Sequence, residues 1–168
     1  MDAARAGDLD AFEVLVRRHQ APVYRVALRM LGTAADAEDV AQETFVQAWR
    51  SLARFHGNSA FSTWLYRIAT NHSLDVLAKR RPSEGLDDLQ GDSSLDPAAI
   101  YAQRERTAGV LDAVQAMPPE QRAPLVLREF EGLSYEEIGK VLGISLAAVK
   151  GRIHRARLAL IAGVGEAS

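Results

Sequence analysis

Cysteine is absent from this sequence, which removes disulfide frameworks, thiolate nucleophiles and Cys-ligated metal centres from consideration. The chain is thereby compatible with a reducing compartment. Aromatic residues are scarce, at 7%, yet hydrophobic residues make up 48% and charged residues 25%, the balance of a folded protein and not of a disordered tail. No apolar stretch approaches the roughly 18 residues of a membrane span, and the start MDAARAGDLDAF has neither the basic nor the apolar segment of a secretory leader. No membrane insertion is expected, and the expected location is cytoplasmic. Alternating β-branched runs are missing too, so nothing supports strand hairpins. The predicted fold class is all-α, and 168 residues suit two small helical domains better than one moderate core.

Charge is nearly balanced, at a formal −2, which argues against a protein that coats nucleic acid unaided. Its distribution is uneven. From Lys140 to Leu160 the ionisable residues are Lys140, Lys150, Arg152, His154, Arg155 and Arg157, with no carboxylate among them. From Pro82 to Asp96 the pattern inverts: Glu84, Asp87, Asp88, Asp92 and Asp96 stand without a base, among Gly, Pro and Ser. That composition reads as a flexible acidic linker.

Helical periodicity runs through the rest. Leu9, Phe12, Leu15 and Val16 make a first apolar stripe that should end near Pro22, and a second helix should run from about Val23 to Leu31 and stop at Gly32. Thr33 with Asp36 reads as a capping box opening a third helix to about Ala53. His56 to Ser59 is a turn, and a fourth helix spans about Phe61 to Lys79, where cations and then Pro82 end it. Past the linker a fifth helix should reach about Ala116. Pro118 and Pro119 set off a sixth, in which Pro124 predicts a kink or a later start and Gly132 the end.

Ser134 and Glu137 form a second capping box for a short helix, Tyr135 to Leu142; Gly143 turns the chain, and Ser145 can cap a last helix from Leu146 to about Ile161. A short capped helix, a tight Gly-containing turn and a longer basic helix spell a helix-turn-helix. At about 100° per residue, Val149, Ile153, Ala156 and Leu160 share one sector and close a small core with Ile138, Val141, Leu142 and Ile144. The opposite arc carries Ala147, Lys150, Gly151, His154 and Arg155, with Arg152 and Arg157 at its margins, so cations and small residues would meet bases and phosphates. Gly151 costs about 1 kcal/mol of helix propensity, which makes sense on an outer face if something approaches closely there. A solvated basic face is the plain alternative.

In the third helix, Ala37, Val40, Ala41, Thr44, Phe45, Ala48 and Leu52 share the buried side. Val46 points nearly opposite, in a patch with Asp39, Gln42 and Trp49, and apolar groups among polar ones on an outer face suggest a docking surface. Val46 and Trp49 packing on another helix of the same domain is the competing reading. In the fourth helix Phe61 and Trp64 belong mainly to the core, while Asn71, Arg67, Tyr66 and the turn residue Phe55 carry functional interest. Aromatic and amide groups beside cations suit single-stranded DNA, whose bases stack on the one and hydrogen-bond to the other.

Four segments, DAEDVAQETFVQAW (Asp36 to Trp49), FSTWLYRIATN (Phe61 to Asn71), PPEQR (Pro118 to Arg122) and LREFEGLSYEEIGKVLGIS (Leu127 to Ser145), resemble the extracytoplasmic-function group of bacterial sigma-70-type sigma factors. The resemblance covers nearly the whole chain. It implies a sigma-2-like domain at residues 1–81, an acidic linker at 82–97 and a sigma-4-like helix-turn-helix domain at 98–168. By it, Asp39, Gln42, Glu43, Val46 and Trp49 would dock on the clamp helices of the polymerase β′ subunit. Phe55, the loop His56, Gly57, Asn58, Ser59 and Ala60, and Tyr66, Arg67 and Asn71 would recognise and open the minus-10 element of promoter DNA. Lys150, Gly151, Arg152, His154 and Arg155 would read the minus-35 element, with Arg128 on a phosphate. It also implies a contact with the β flap of core RNA polymerase, and an anti-sigma partner.

An enzyme is the rival class. His19, His56, His72 and His154 lie on separate predicted elements with no metal-binding spacing, and His72 with Asp75 reads better as a satisfied histidine than as a base and its orienter. No cofactor is expected. A stand-alone helix-turn-helix regulator is the closer alternative, but it would not need the Val46 and Trp49 patch. A helical adaptor would not need the basic last helix.

Overall fold

The computed structural model describes residues 1–80 and 108–166, and every regular element among them is helical. In chain order these are α1 (Asp2–Arg5), α2 (Leu9–Leu31), α3 (Ala34–Ser51) with a 3₁₀ turn (Leu52–Arg54), α4 (Phe61–Lys79), α5 (residues 108–116), α6 (Pro119–Glu129), α7 (Tyr135–Leu142) and α8 (Leu146–Glu166). The acidic linker and the start expected for the fifth helix lie outside the described residues.

Two helices expected before and after Pro22 are one. α2 starts on the Asp8 side chain, which accepts from the Ala11 amide, runs through Pro22 and ends at Gly32 in the left-handed region. Losing one backbone hydrogen bond to proline costs about 3 kcal/mol. Phe12, Leu15, Val23, Val26, Ala27 and Met30 are all buried and keep one helical phase across the proline, so continuity is repaid by a single buried stripe. α6 likewise begins at Pro119 and carries Pro124 inside, so its start is not delayed. Pro118 caps it, Pro119 needs no amide partner in the first turn, and the Arg122 amide already bonds the Pro118 carbonyl at 2.9 Å. α8 extends five residues past the expected Ile161, and its Gly163 lets it approach α5, where a Cβ would stand 3.2 Å from Ala113.

At α3 only half of the expected capping box forms: Thr33 accepts from the Asp36 amide, while the Asp36 carboxylate turns to Arg80 at 2.7 Å and ties the α3 start to the α4 end. At α7 both bonds of the box are present.

The buried residues form two clusters. Ala4, Phe12, Leu15, Val23, Ala48, Leu52, Leu65, Ile68 and Ala69 form one among α1–α4 and the 3₁₀ turn. The other cluster joins Val26, Met30, Leu31, Ala37 and Val40 of the first half to Val114, Met117, Leu125, Ile138, Val149 and Ile153 of the second. The two halves are therefore packed together here, α2 against α6 and α4 against α7.

Candidate polymerase and promoter interface

The helix-turn-helix is built as its glycines require. Gly143 takes φ +67, and the Ile144 amide donates to the Gly139 carbonyl at 3.1 Å. A Cβ on Gly139 would lie 3.0 Å from the Ile144 carbonyl, so the tight turn leaves room for no side chain there. Ser145 caps α8 by accepting from the Ala148 amide at 3.1 Å. Ile138, Val141, Val149, Ile153 and Ala156 are buried between α7 and α8. Ala147, Lys150, His154 and Arg155 are exposed on the far side, with Gly151 and Arg152 half-buried. The group that approaches Gly151 is the Arg155 guanidinium, 3.4 Å from where a Cβ would be. Arg157 is exposed but paired, its Nε donating to Glu129 at 2.8 Å. Arg128 is half-buried: its Nη1 donates to the Leu133 carbonyl at 2.9 Å and its guanidinium stacks 5.0 Å over Tyr135. Lys150, Arg152 and Arg155 thus stand on one side of α8 with no carboxylate of that helix among them, as a groove-reading helix needs.

On α3, Asp39, Gln42, Glu43 and Val46 form one exposed face. Trp49 departs from the outlying patch, because its ring leans on Phe12 at 4.9 Å and it is half-buried against the α2–α4 core. The competing packing reading thus applies to Trp49 and not to Val46. Between α3 and α4 the loop exposes His56, Gly57, Asn58 and Ala60, with Ser59 half-buried, and Gly57 takes φ +75.

Phe55 and Tyr66 depart from the expectation of free contact groups. Phe55 is buried, its ring 5.0 Å from Trp64 and 5.8 Å from Phe61, because an aromatic at the start of this loop gains more from that cluster than from water. Tyr66 is only 8% exposed, and its hydroxyl donates to Glu131 at 3.0 Å. Burial, then the charge and hydrogen bond of Glu131, push its pKa up. Arg67 and Asn71, one turn apart on α4, are both exposed. His72 meets Gln47, not Asp75, with its Nε2 2.5 Å from Oε1. No cluster of three His, Cys, Asp or Glu that could hold a metal occurs among the described residues, and none of their helices is long and apolar enough to cross a membrane.

The groups that sequence reasoning missed join the two halves. Arg122, 5% exposed, donates to the carbonyls of Met117 at 2.9 Å and Gln115 at 2.7 Å, and also to Met30 at the end of α2. Gln115 bonds the neighbouring Arg29 carbonyl. These are carbonyls that the last turn of a helix cannot satisfy itself. Burial, with the charge of Arg80, pushes the Arg122 pKa down to about 10. Arg25 and Glu131 pair at 3.3 Å, and Arg29 lies 4.1 Å over the Phe130 ring. Partners so far apart in sequence leave no local signal.

Two family models match in chain order: Sigma-70 region 2 over residues 15–82 and Sigma-70 region 4 over residues 108–160. The chain is 39% identical to the RNA polymerase sigma-H factor of Pseudomonas aeruginosa, covering 95% of this chain and 89% of that one. It is 36% identical to the ECF RNA polymerase sigma factor SigW of Bacillus subtilis, over 93% and 90%. Among solved structures, CnrH in complex with the cytosolic domain of CnrY superposes with a TM-score of 0.77 at 32% identity, covering 99% of this chain and 96% of that one. An exposed α3 face, an exposed α4 edge and a basic helix-turn-helix thus occur in one chain that matches sigma factors over most of its length, and the chain belongs to the extracytoplasmic-function group of RNA polymerase sigma factors.

Proposed function

We propose a division of labour for the residues of this sigma factor, which directs core RNA polymerase to promoters and promotes their opening. The observation that carries it is the separation of three exposed surfaces on rigid helices: the α3 face, the α4 edge with its preceding loop, and the outer arc of α8. Asp39, Gln42, Glu43 and Val46, with the rim of Trp49, dock on the β′ clamp helices. Residues 56–60 with Arg67 and Asn71 hold unpaired bases of the minus-10 element, so binding energy and not bond chemistry opens the duplex. Lys150, Arg152, His154 and Arg155 read the minus-35 element, with the Arg155 guanidinium lying over Gly151, and Arg128 orients that helix pair. Residues 1–81 and 98–168 act as two domains on either side of the acidic interval 82–97.

The chain acts in the cytoplasm, has no catalytic activity of its own, and works in association with the polymerase; a β-flap contact and an anti-sigma partner complete the set. The likeness to CnrH, solved in complex with the cytosolic domain of CnrY, supports that last assignment. Purified chain, core polymerase and a random promoter library, followed by transcript sequencing, test the reading. Transcripts should start at a fixed distance from a shared two-part element, and duplex binding without any dependence on polymerase would favour a stand-alone regulator instead.

A further inference from the structure

Glu131 follows α6 in a turn, yet its side chain is only 4% exposed. A buried carboxylate is costly unless fully paired, and among the described residues its side-chain partners come from the first half of the chain. Arg25 Nε and Nη2 donate to its two oxygens at 3.3 and 3.4 Å, and the Tyr66 hydroxyl donates to one of them at 3.0 Å. Arg29 stands close enough to feel its charge. A guanidinium fork, a hydroxyl and a second cation around one anion is a set equally suited to the oxygens of a phosphate diester.

The closed chain cannot read both promoter elements at once. Centres of the minus-10 and minus-35 elements lie ~25 base pairs apart, about 85 Å at ~3.4 Å per pair. A compact body of this length has a radius of gyration of about 15 Å, hence a width near 40 Å. The halves must part on the promoter, and parting withdraws Glu131 from Arg25, Arg29 and Tyr66. Tyr66 lies five residues before Asn71 on α4, ~7.5 Å along the axis and about 140° round it, so a strand whose base is held at Asn71 would reach the site with neighbouring backbone after passing round the helix.

Resting on that promoter-opening role, we propose that Arg25, Arg29 and Tyr66 form a backbone-phosphate site for the promoter strand, which Glu131 fills in the closed chain as an intramolecular stand-in for the phosphate. Phosphate contacts are indifferent to sequence. The site therefore adds affinity to the opened strand without adding to base preference, and its plug keeps the free chain from binding single strands at large.

The probe is a fluorescent single-stranded 20-nucleotide oligodeoxynucleotide of mixed sequence, titrated with the full chain in the absence of polymerase. Glu131→Ala should bind it at least tenfold more tightly than the parent, and Arg25→Ala in the same chain should cancel the gain. The gain should carry a steeper dependence on salt, as an added phosphate contact requires. Glu38→Gln, at an exposed position of α3, controls for the change in net charge and should have little effect. Glu131→Gln keeps the size and a partner for Tyr66; should Glu131→Ala fail to fold by circular dichroism, this variant must show the gain. Unchanged binding in the folded variant, or a gain that survives Arg25→Ala, overturns the proposal. Promoter-directed transcription by the parent with core polymerase is measured in parallel. Its absence would defeat the promoter role, whereas transcription without a gain in the Glu131 variants defeats the phosphate site alone.

Discussion

Trp49 lies against Phe12 with ring centroids 4.9 Å apart, while Val46, one turn earlier on α3, is 42% exposed. Two residues that share an outer patch on a helical wheel are thereby assigned different work. Val46→Asp should leave the melting temperature near that of the parent, because the side chain is already in water, and should abolish holoenzyme assembly, since an unpaired buried charge in an interface costs several kcal/mol. Trp49→Ala should cost about 1–3 kcal/mol of stability by losing the ring pair and its half-buried area. Thermal melts and polarisation titrations with labelled core polymerase measure both. Normal assembly by Val46→Asp would remove α3 from the docking surface.

Arg155 and Arg157 are both exposed on α8, but among the described residues only Arg157 has a carboxylate partner, Glu129. Arg155→Ala should weaken binding of the upstream duplex by roughly 1–3 kcal/mol per lost base contact. Arg157→Ala should cost less, on the order of an exposed ion pair, ~0.2–1 kcal/mol. Holoenzyme bound to duplex carrying the upstream element gives the numbers. Equal losses would mean that the Glu129 pairing does not survive on DNA.

His19 packs edge-on against Phe61 at 5.2 Å, and burial, then the charge of Arg18, hold its pKa below the ordinary 6.5. The folded chain binds that proton less readily than the unfolded chain. Stability therefore rises with pH between the depressed folded value and 6.5, and is lost as pH falls through that window. His19→Gln removes this contribution and leaves the rest of the acid response intact. Melts at about pH 7.5 and about pH 5 should show the parent losing more than the variant. Identical losses in the two proteins would uncouple His19 from the packing around Phe61.

Much of the fold was legible because it is local. The Ser134 and Glu137 box, the left-handed Gly143 and the Phe61 to Lys79 boundaries rest on interactions within a turn or two. Pro22 misled for the opposite reason: the ring is a local breaker, but the phase of Phe12, Leu15, Val23 and Val26 runs unbroken across it and tertiary burial wins. The outward positions expected for Val46 and Lys150 are exposed, whereas the cover over Tyr66, Glu131, stands 65 residues away and leaves no trace on a helical wheel. The Arg122 bond to Met30 spans 92 residues and has no counterpart in any periodicity. Contacts between halves depend on how two finished surfaces meet, which no single helix encodes.

Asn71 and Val46 stand on different exposed surfaces of one small domain, so their losses should separate opening from docking. The Asn71 side chain is exposed on α4 beside Arg67, and its amide can both donate to and accept from the edge of an extruded base. Asn71→Ala removes those bonds while leaving the α2–α4 core, Val46 and the capped α7 untouched. Polymerase binding should persist, and upstream-element binding should persist with it. Permanganate-reactive thymines in the minus-10 segment should fall by between about twofold and about a hundredfold, since one or two lost hydrogen bonds at ~0.5–1.5 kcal/mol each now fail to offset unstacking. A template melted beforehand over that segment has already met the cost of opening, so the variant should lose less activity there than on duplex. If Asn71→Ala blocks polymerase binding, the α4 edge belongs to the docking surface; if it opens duplex promoters as the parent does, base capture lies elsewhere, in residues 56–60.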